Sequence, residues 1–176
     1  EGYPHRPIEA GGEEKGDETQ REAMIELHNV DCMDYMRGLP DKAFDLAIVD
    51  PPYGIGAYAN GTMGGGVLAK QPRYKATQWD AVAPSSEYFM ELRRVSAHQI
   101  VWGANHFIAA MPLSSPCWIV WDKVNGENNF ADAELAWTSF PSAVRMFSFR
   151  WQGMLQGNMA AKEERIHPTQ KPVALY

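Results

Sequence analysis

A chain of 176 residues with 45% hydrophobic content is long enough for one domain with a real core and too short for several. Its 22 acidic residues outnumber 16 basic ones, a net charge of −6, which excludes a protein held on polyanions by bulk charge alone. No apolar run is long enough to span a membrane and no secretory signal pattern appears, so a soluble cytoplasmic protein is expected. Cys32 and Cys117 each fall inside an apparent fold element, and the five histidines are scattered, so neither a structural disulfide nor a metal site is expected.

Residues 1–23 hold seven acids and three bases with almost no periodic apolar residues, the composition of a disordered leader or expression-derived segment. Met24 is a candidate natural start, and residues 24–176 are expected to form the folded domain. Ile25–Val30 reads as a short strand. Cys32–Gly38 reads as a helix capped by Asp31 and ended by Gly38 and Pro40. Phe44–Val49 (FDLAIV) is a continuous apolar run of the kind expected for a strand covered on both faces. Ser85 or Ser86 can cap a helix through Val95, with Tyr88, Phe89, Leu92 and Val95 on one side.

Gln99–Trp102 and Trp118–Trp121 read as further buried strands, with a short helix between them near Asn105–Met111. Glu134–Phe140 and Ala143–Trp151 flank a tight Pro141-Ser142 connection and read as an antiparallel hairpin. Strands alternating with helices give a three-layer α/β domain with a mostly parallel sheet and a terminal hairpin. Ligands of such sheets bind beyond the carboxyl ends of the strands, where Asp31, Asp50 and Gly103 would lie.

The strand Phe44–Val49 runs into Asp50-Pro51-Pro52-Tyr53-Gly54. An exocyclic amine on a planar ring is a poor nucleophile because its lone pair is delocalised into the ring. A carboxylate at Asp50 and a backbone carbonyl, that of Pro51, can each accept one amine hydrogen and free that lone pair for attack. Pro51 and Pro52 stiffen the loop, Tyr53 offers an aromatic face for a ring, and Gly54 and Gly56 let the backbone turn sharply. Asp and Pro are also ordinary turn formers, so the tripeptide alone is equally a strand-ending turn. The buried strand before it and the tyrosine and glycines after it favour the functional reading.

DPPYGIG resembles the catalytic motif of the amino-group DNA methyltransferases, the N6-adenine and N4-cytosine enzymes that use S-adenosyl-L-methionine. ELRRVSAHQIVWGANHF (91–107), CWIVWDKVNGENNFADAELAWTSF (117–140) and RIHPTQKPVALY (165–176) are similar to further segments of that family, in the same order. The resemblance covers the chain from about Ile25 to Tyr176. It implies a Rossmann-like methyltransferase fold, double-stranded DNA as partner and methyl transfer to a flipped-out base. An acid at Asp50 favours adenine N6 over cytosine N4. The alternative from another class is a catalytically incomplete DNA- or partner-binding module that keeps the fold.

The same resemblance assigns site residues. Asp50, Pro51, Pro52 and Tyr53 are implied to be catalytic, with Gly54, Asn105 and Lys123 on the substrate side. Asp31 and Cys32 are implied beside the cofactor's adenosine, although as a helix cap Asp31 needs no ligand. His167, Thr169 and Lys171 are implied at its methionine end, where a cation and a hydroxyl suit a carboxylate. Asn125–Phe130 is a polar loop able to close over the base or to serve as an ordinary turn. Lys70, Arg73 and Lys75, and a looser set of Arg145, Arg150, Lys162, Arg165 and Lys171, are candidate phosphate contacts. In the family a glycine-rich Asp-Pro-Phe-x-Gly-x-Gly-type turn follows the last segment and cradles the cofactor; Tyr176 precedes any such turn, and Gly61 to Gly66 follow no strand. Weak cofactor binding by the 176 residues alone is the expectation. Loops 57–79 and 151–166 are short for a recognition domain, which implies relaxed or separately supplied sequence specificity.

Overall fold

The computed structural model describes residues 25–57, 78–111, 114–126, 130–152, 155–167 and 169–176. The leader 1–23, the glycine cluster Gly61 to Gly66 and the Lys70, Arg73, Lys75 set lie outside the described residues. The fold is α/β. Helix α1 (Cys32–Arg37) is followed by β1 (Phe44–Val49), α2 (Ser86–Val95), β2 (Ser96–Trp102) and a 3₁₀ turn at Ala104–His106. Then come β3 (Trp118–Asp122), β4 (Ala133–Thr138), β5 (Arg145–Ser148), the two-residue strands β6 (Trp151–Gln152) and β7 (Leu155–Gln156), and a 3₁₀ turn at Val173–Leu175.

Strands β1 to β5 form one sheet in the order β1-β2-β4-β3-β5. β1 runs parallel to β2 and β3 parallel to β5, but β4 lies antiparallel between β2 and β3. The sheet is therefore mixed rather than mostly parallel. The expected hairpin across Pro141-Ser142 does not form: β4 spends its two edges on β2 and β3, and β5 crosses to the far side of β3. The antiparallel hairpin that does occur is the small β6–β7 pair.

Two further expectations fail for one reason, the lack of a neighbour. Ile25–Val30 is exposed and is not a strand, since no partner among the described residues supplies the ladder that an extended segment needs. β1 forms where expected, but at the sheet edge, leaving Phe44, Leu46 and Ile48 exposed rather than covered on both faces. The segment after β2 is a single 3₁₀ turn at Ala104–His106 followed by turns, not a helix to Met111.

The helices are built as their sequences dictate. Asp31 Oδ1 accepts from the backbone N–H groups of Met33 and Asp34 and caps α1. α2 buries Phe89, Leu92 and Val95, spaced three apart on one face, while Ser85 occupies its cap position without a side-chain bond. Arg94 then ties the two together, donating to the terminal α1 carbonyl of Met36 and to that of Leu39. Lys42 returns the favour from the other side, its ammonium donating to the carbonyls of Arg93 and Ser96.

Alternation along β2 splits the core across the sheet. Val101 faces a cluster with Met36, Phe89, Leu92, Val95, Phe107 and Trp137 beneath the helices. Trp102 faces the opposite side, with Trp121, Ala136 and Trp151. On that second side the described cover comes from Trp151, Phe149 and Leu175 in short or irregular segments. The described layers are thus one helical layer and the sheet, with an aromatic cluster in place of the expected third layer.

Candidate active site

The strand directions gather the site at one edge of the sheet. β1, β2 and β3 end there with Val49, Trp102 and Asp122, and antiparallel β4 begins there with Ala133. Asp50, Gly103 and Lys123 follow the three strand ends, and Glu134, the second residue of β4, lies beside them. This is the carboxyl edge at which α/β sheets place their ligands.

At its centre is the carboxylate of Asp50, 30% exposed. Its Oδ2 lies 2.6 Å from the Lys171 ammonium, and its Oδ1 accepts from the Tyr53 hydroxyl at 3.0 Å. Lys171, with a side chain only 5% exposed, also donates to the Tyr53 hydroxyl oxygen at 3.3 Å and lies 3.3 Å from Glu134 Oε2. Glu134 Oε1 meets the ammonium of Lys123 at 2.5 Å. Two carboxylates and two ammonium groups thus form a neutral chain, Asp50–Lys171–Glu134–Lys123, in a part of the molecule where an unpaired charge would be costly.

Tyr53 is fixed as firmly as the charges around it. Its ring stacks on His106 with centroids 4.8 Å apart and meets the edge of Phe107. It also lies so close to the backbone that a Cβ on Gly103 would sit 2.1 Å from its Cε1, and Gly103 has φ of +68° besides. One face of the ring is therefore taken by His106, which narrows the role expected of Tyr53 as an open stacking platform. Burial, the Glu134 and Asp50 charges and its bonds to them push the phenol far above its ordinary value, so it stays a hydrogen-bond donor at any working pH.

The loop that carries Asp50 and Tyr53 is held from below by Asp80, which is 2% exposed. Asp80 Oδ1 accepts from the N–H groups of Tyr53 (2.5 Å) and Gly54 (3.0 Å), and Oδ2 from that of Ala57 (2.8 Å). The Asp80 carbonyl takes a fourth bond, from Gly56 N–H. Gly54 itself, at φ +72°, passes within 2.7 Å of the Ala83 nitrogen at the point where a Cβ would stand. Neither Asp80 nor Glu134 was foreseen from the sequence. Asp80 looks like a lone loop acid; Glu134 left a clue, a single acid inside the otherwise apolar strand AELAWT.

The remaining expected residues fall at different distances from this centre. Lys171 joins the Asp50 carboxylate instead of standing free for a cofactor. His167 and Thr169 bond to each other, Thr169 Oγ1 lying 3.1 Å from His167 Nδ1, while the His167 ring contacts Trp79. Asp31 and Cys32 lie at the exposed start of α1; the phenol of half-buried Tyr88 is pushed up by burial first, then by the Cys32 and Asp50 charges. Asn105 is exposed on the 3₁₀ turn, and Asn125 bonds the carbonyl of Ala131 across its loop at 2.7 Å. Arg165 lies over the Trp151 ring at 4.3 Å, a cation–π contact.

A cofactor of the expected kind fits part of this arrangement. Asp31 spends Oδ1 on the α1 cap, leaving Oδ2 to accept from a ribose or an amine, with the Cys32 thiol beside it. Lys171 does not fit a cofactor carboxylate, because its ammonium is already divided between Asp50, Glu134 and Tyr53.

Burial pushes the Glu134 carboxyl up, but the Lys171 and Lys123 ammonium groups outweigh it and hold the carboxyl below its ordinary value of 4.5. Because the folded value is depressed, the stability that Glu134 contributes is fully present above about pH 4.5 and is lost as the pH falls through the folded value. Denaturant melts between pH 5 and pH 3 should show the Glu134→Gln variant losing stability less steeply, by up to about 1.4 kcal/mol per pH unit. Parallel slopes for the two proteins would rule that contribution out.

No protein-family model matches the chain. Among the described residues no helix is long and apolar enough to cross a membrane.

Proposed function

We propose that this protein is a DNA methyltransferase that moves a methyl group from S-adenosyl-L-methionine to the exocyclic amine of a base extruded from double-stranded DNA, with adenine N6 as the foremost target. The Rossmann-like methyltransferase class and a cytoplasmic location belong to the same reading. The observation that carries it is the Asp50 carboxylate. It stands at the carboxyl edge of the sheet on a stiff Pro-Pro loop, partly exposed and held by both Lys171 and Tyr53. A purely structural strand-ending turn has no need of a buried lysine on its acid.

The methyl donor supplies an electrophilic carbon on sulfonium, and the chain's residues do the rest. Asp50 retains lone pairs beyond those used by Lys171 and Tyr53, and one of them accepts an amine hydrogen. The nitrogen lone pair is thereby withdrawn from the ring and aimed at the carbon. As the N–C bond forms, the nitrogen gains positive charge, and a carboxylate already in place stabilises that charge without reorganising. The donor, when bound, would supply the methyl group and carry off the displaced thioether, and the surplus amine proton would pass to solvent through the exposed side of Asp50.

The test is transfer of labelled methyl from S-adenosyl-L-methionine to unmethylated duplex DNA, followed by digestion and separation of the nucleosides. Label in N6-methyladenine supports the reading, and label in N4-methylcytosine corrects its base. Binding of duplex DNA with no label in any nucleoside supports the non-catalytic module instead.

A further inference from the structure

We infer that Glu134 is a positioning residue, anchoring Lys171 so that its ammonium is held on the Asp50 carboxylate. The inference deepens the methyl-transfer reading and rests on it for its kinetic consequence.

The argument begins with what holds each partner. Lys171 sits in a segment with no regular structure, whereas Glu134 is built into β4, where it pairs with Trp121 of β3, in a strand that β2 flanks from Ala136 to Thr138. Glu134 is itself steadied, since Lys123 takes Oε1 and leaves Oε2 turned to Lys171. A long flexible ammonium therefore reaches Asp50 from a fixed point on the sheet. Lys171 also passes over two aromatic rings, Tyr53 at 5.8 Å and Trp102 at 5.5 Å, so its stem runs between the catalytic loop and the strand end. Without Glu134 the polar side-chain partners remaining to the Lys171 ammonium among the described residues are Asp50 and Tyr53, both on the loop it is supposed to steady.

Charge sharing gives the arrangement a chemical consequence. An ammonium bonded to one carboxylate alone quenches its power to accept; divided between two, it orients Asp50 while leaving it an acceptor for the amine. The charged groups that face this centre from the packed elements are Lys123, Lys171, Glu134 and Asp50, with the phenols of Tyr53, Tyr88 and Tyr176 around them.

Three proteins test this: the parent, Glu134→Gln, and the charge-neutral double variant Lys123→Met with Glu134→Gln. In methyl transfer, Glu134→Gln is expected to lower kcat by about 10- to 100-fold with KM for duplex DNA changed less than about threefold. The double variant should remain as slow. Recovery in the double variant would mean that Glu134 merely neutralises Lys123, and would overturn the inference. A second readout needs no turnover. Amine-labelling of the folded proteins, read by mass spectrometry, should modify Lys171 at least about fivefold faster in Glu134→Gln than in the parent, as expected for a side chain released from burial. Unchanged labelling of Lys171 also overturns the inference. A parent that transfers no methyl, yet shows the labelling difference, defeats the methyl-transfer reading and leaves the anchor standing.

Discussion

Replacing Asp50 with asparagine is expected to cut methyl transfer by about 10³-fold, with duplex DNA binding held within about threefold. The substitution keeps size and shape and changes one thing, the supply of lone pairs. If the amide oxygen keeps the hydrogen bond from the Tyr53 hydroxyl, the amide NH₂ faces the Lys171 ammonium where Oδ2 now lies 2.6 Å away. Two donors then oppose each other, and Lys171 is thrown wholly onto Glu134. If the amide turns over, the oxygen meets Lys171 and the NH₂ confronts the tyrosine hydroxyl. In either rotamer the incoming amine finds a weaker acceptor, and the negative charge that balances the cationic transition state is gone. The loss therefore belongs in kcat, because positive charge on nitrogen develops only as the bond forms. Steady-state rates with labelled cofactor measure it. A variant within tenfold of the parent would remove Asp50 from the chemistry.

The sequence made that carboxylate visible because its signal is local: an apolar strand, then an acid, two prolines and an aromatic in four consecutive positions. α1 and α2 were legible for similar reasons, each having a cap candidate and a short apolar period. Pairing was not. FDLAIV looks equally apolar whether its strand lies in the middle of a sheet or at the edge, and only the neighbours decide that. The Pro141-Ser142 connection looked like a hairpin because adjacency in sequence is the usual guide, yet β5 pairs with β3, more than twenty residues upstream. Glu134 and Lys171 are 37 positions apart, and no periodicity within either segment announces that the two will meet. What makes them a pair is the reversal of β4, which brings its amino end to the edge where β1 and β2 finish. Lys171 was noticed as a cation and given a cofactor role through resemblance; its geometry ties it to Asp50.

Asp80 holds from below the loop that carries Asp50 and Tyr53. Three N–H groups of the segment 53–57 converge on the two oxygens of its carboxylate, on a residue only 2% exposed, and an uncompensated donor or charge there would be costly. The Asp80→Asn variant is expected to lose about 3–5 kcal/mol of stability. Its amide oxygen can keep the bonds from Tyr53 and Gly54, weakened by the loss of charge. Its NH₂ is then left pointing at the Ala57 N–H, donor against donor at the present 2.8 Å. Urea melts measure the loss, and a midpoint within 1 M of the parent would count against the clamp, given the usual slope of about 1–3 kcal/mol per molar urea. The same variant should slow methyl transfer by about 10²-fold in conditions where it is still folded, because a shift of about 1 Å in the backbone at Tyr53 is enough to misalign the hydroxyl and the Asp50 carboxylate it steadies. Near-ultraviolet circular dichroism separates the two effects: the Tyr53 ring, stacked on His106, gives a signal that fades if the loop detaches and persists if only global stability has fallen. Loss of rate with that signal intact would mean that Asp80 acts on the chemistry by another route than the loop it holds.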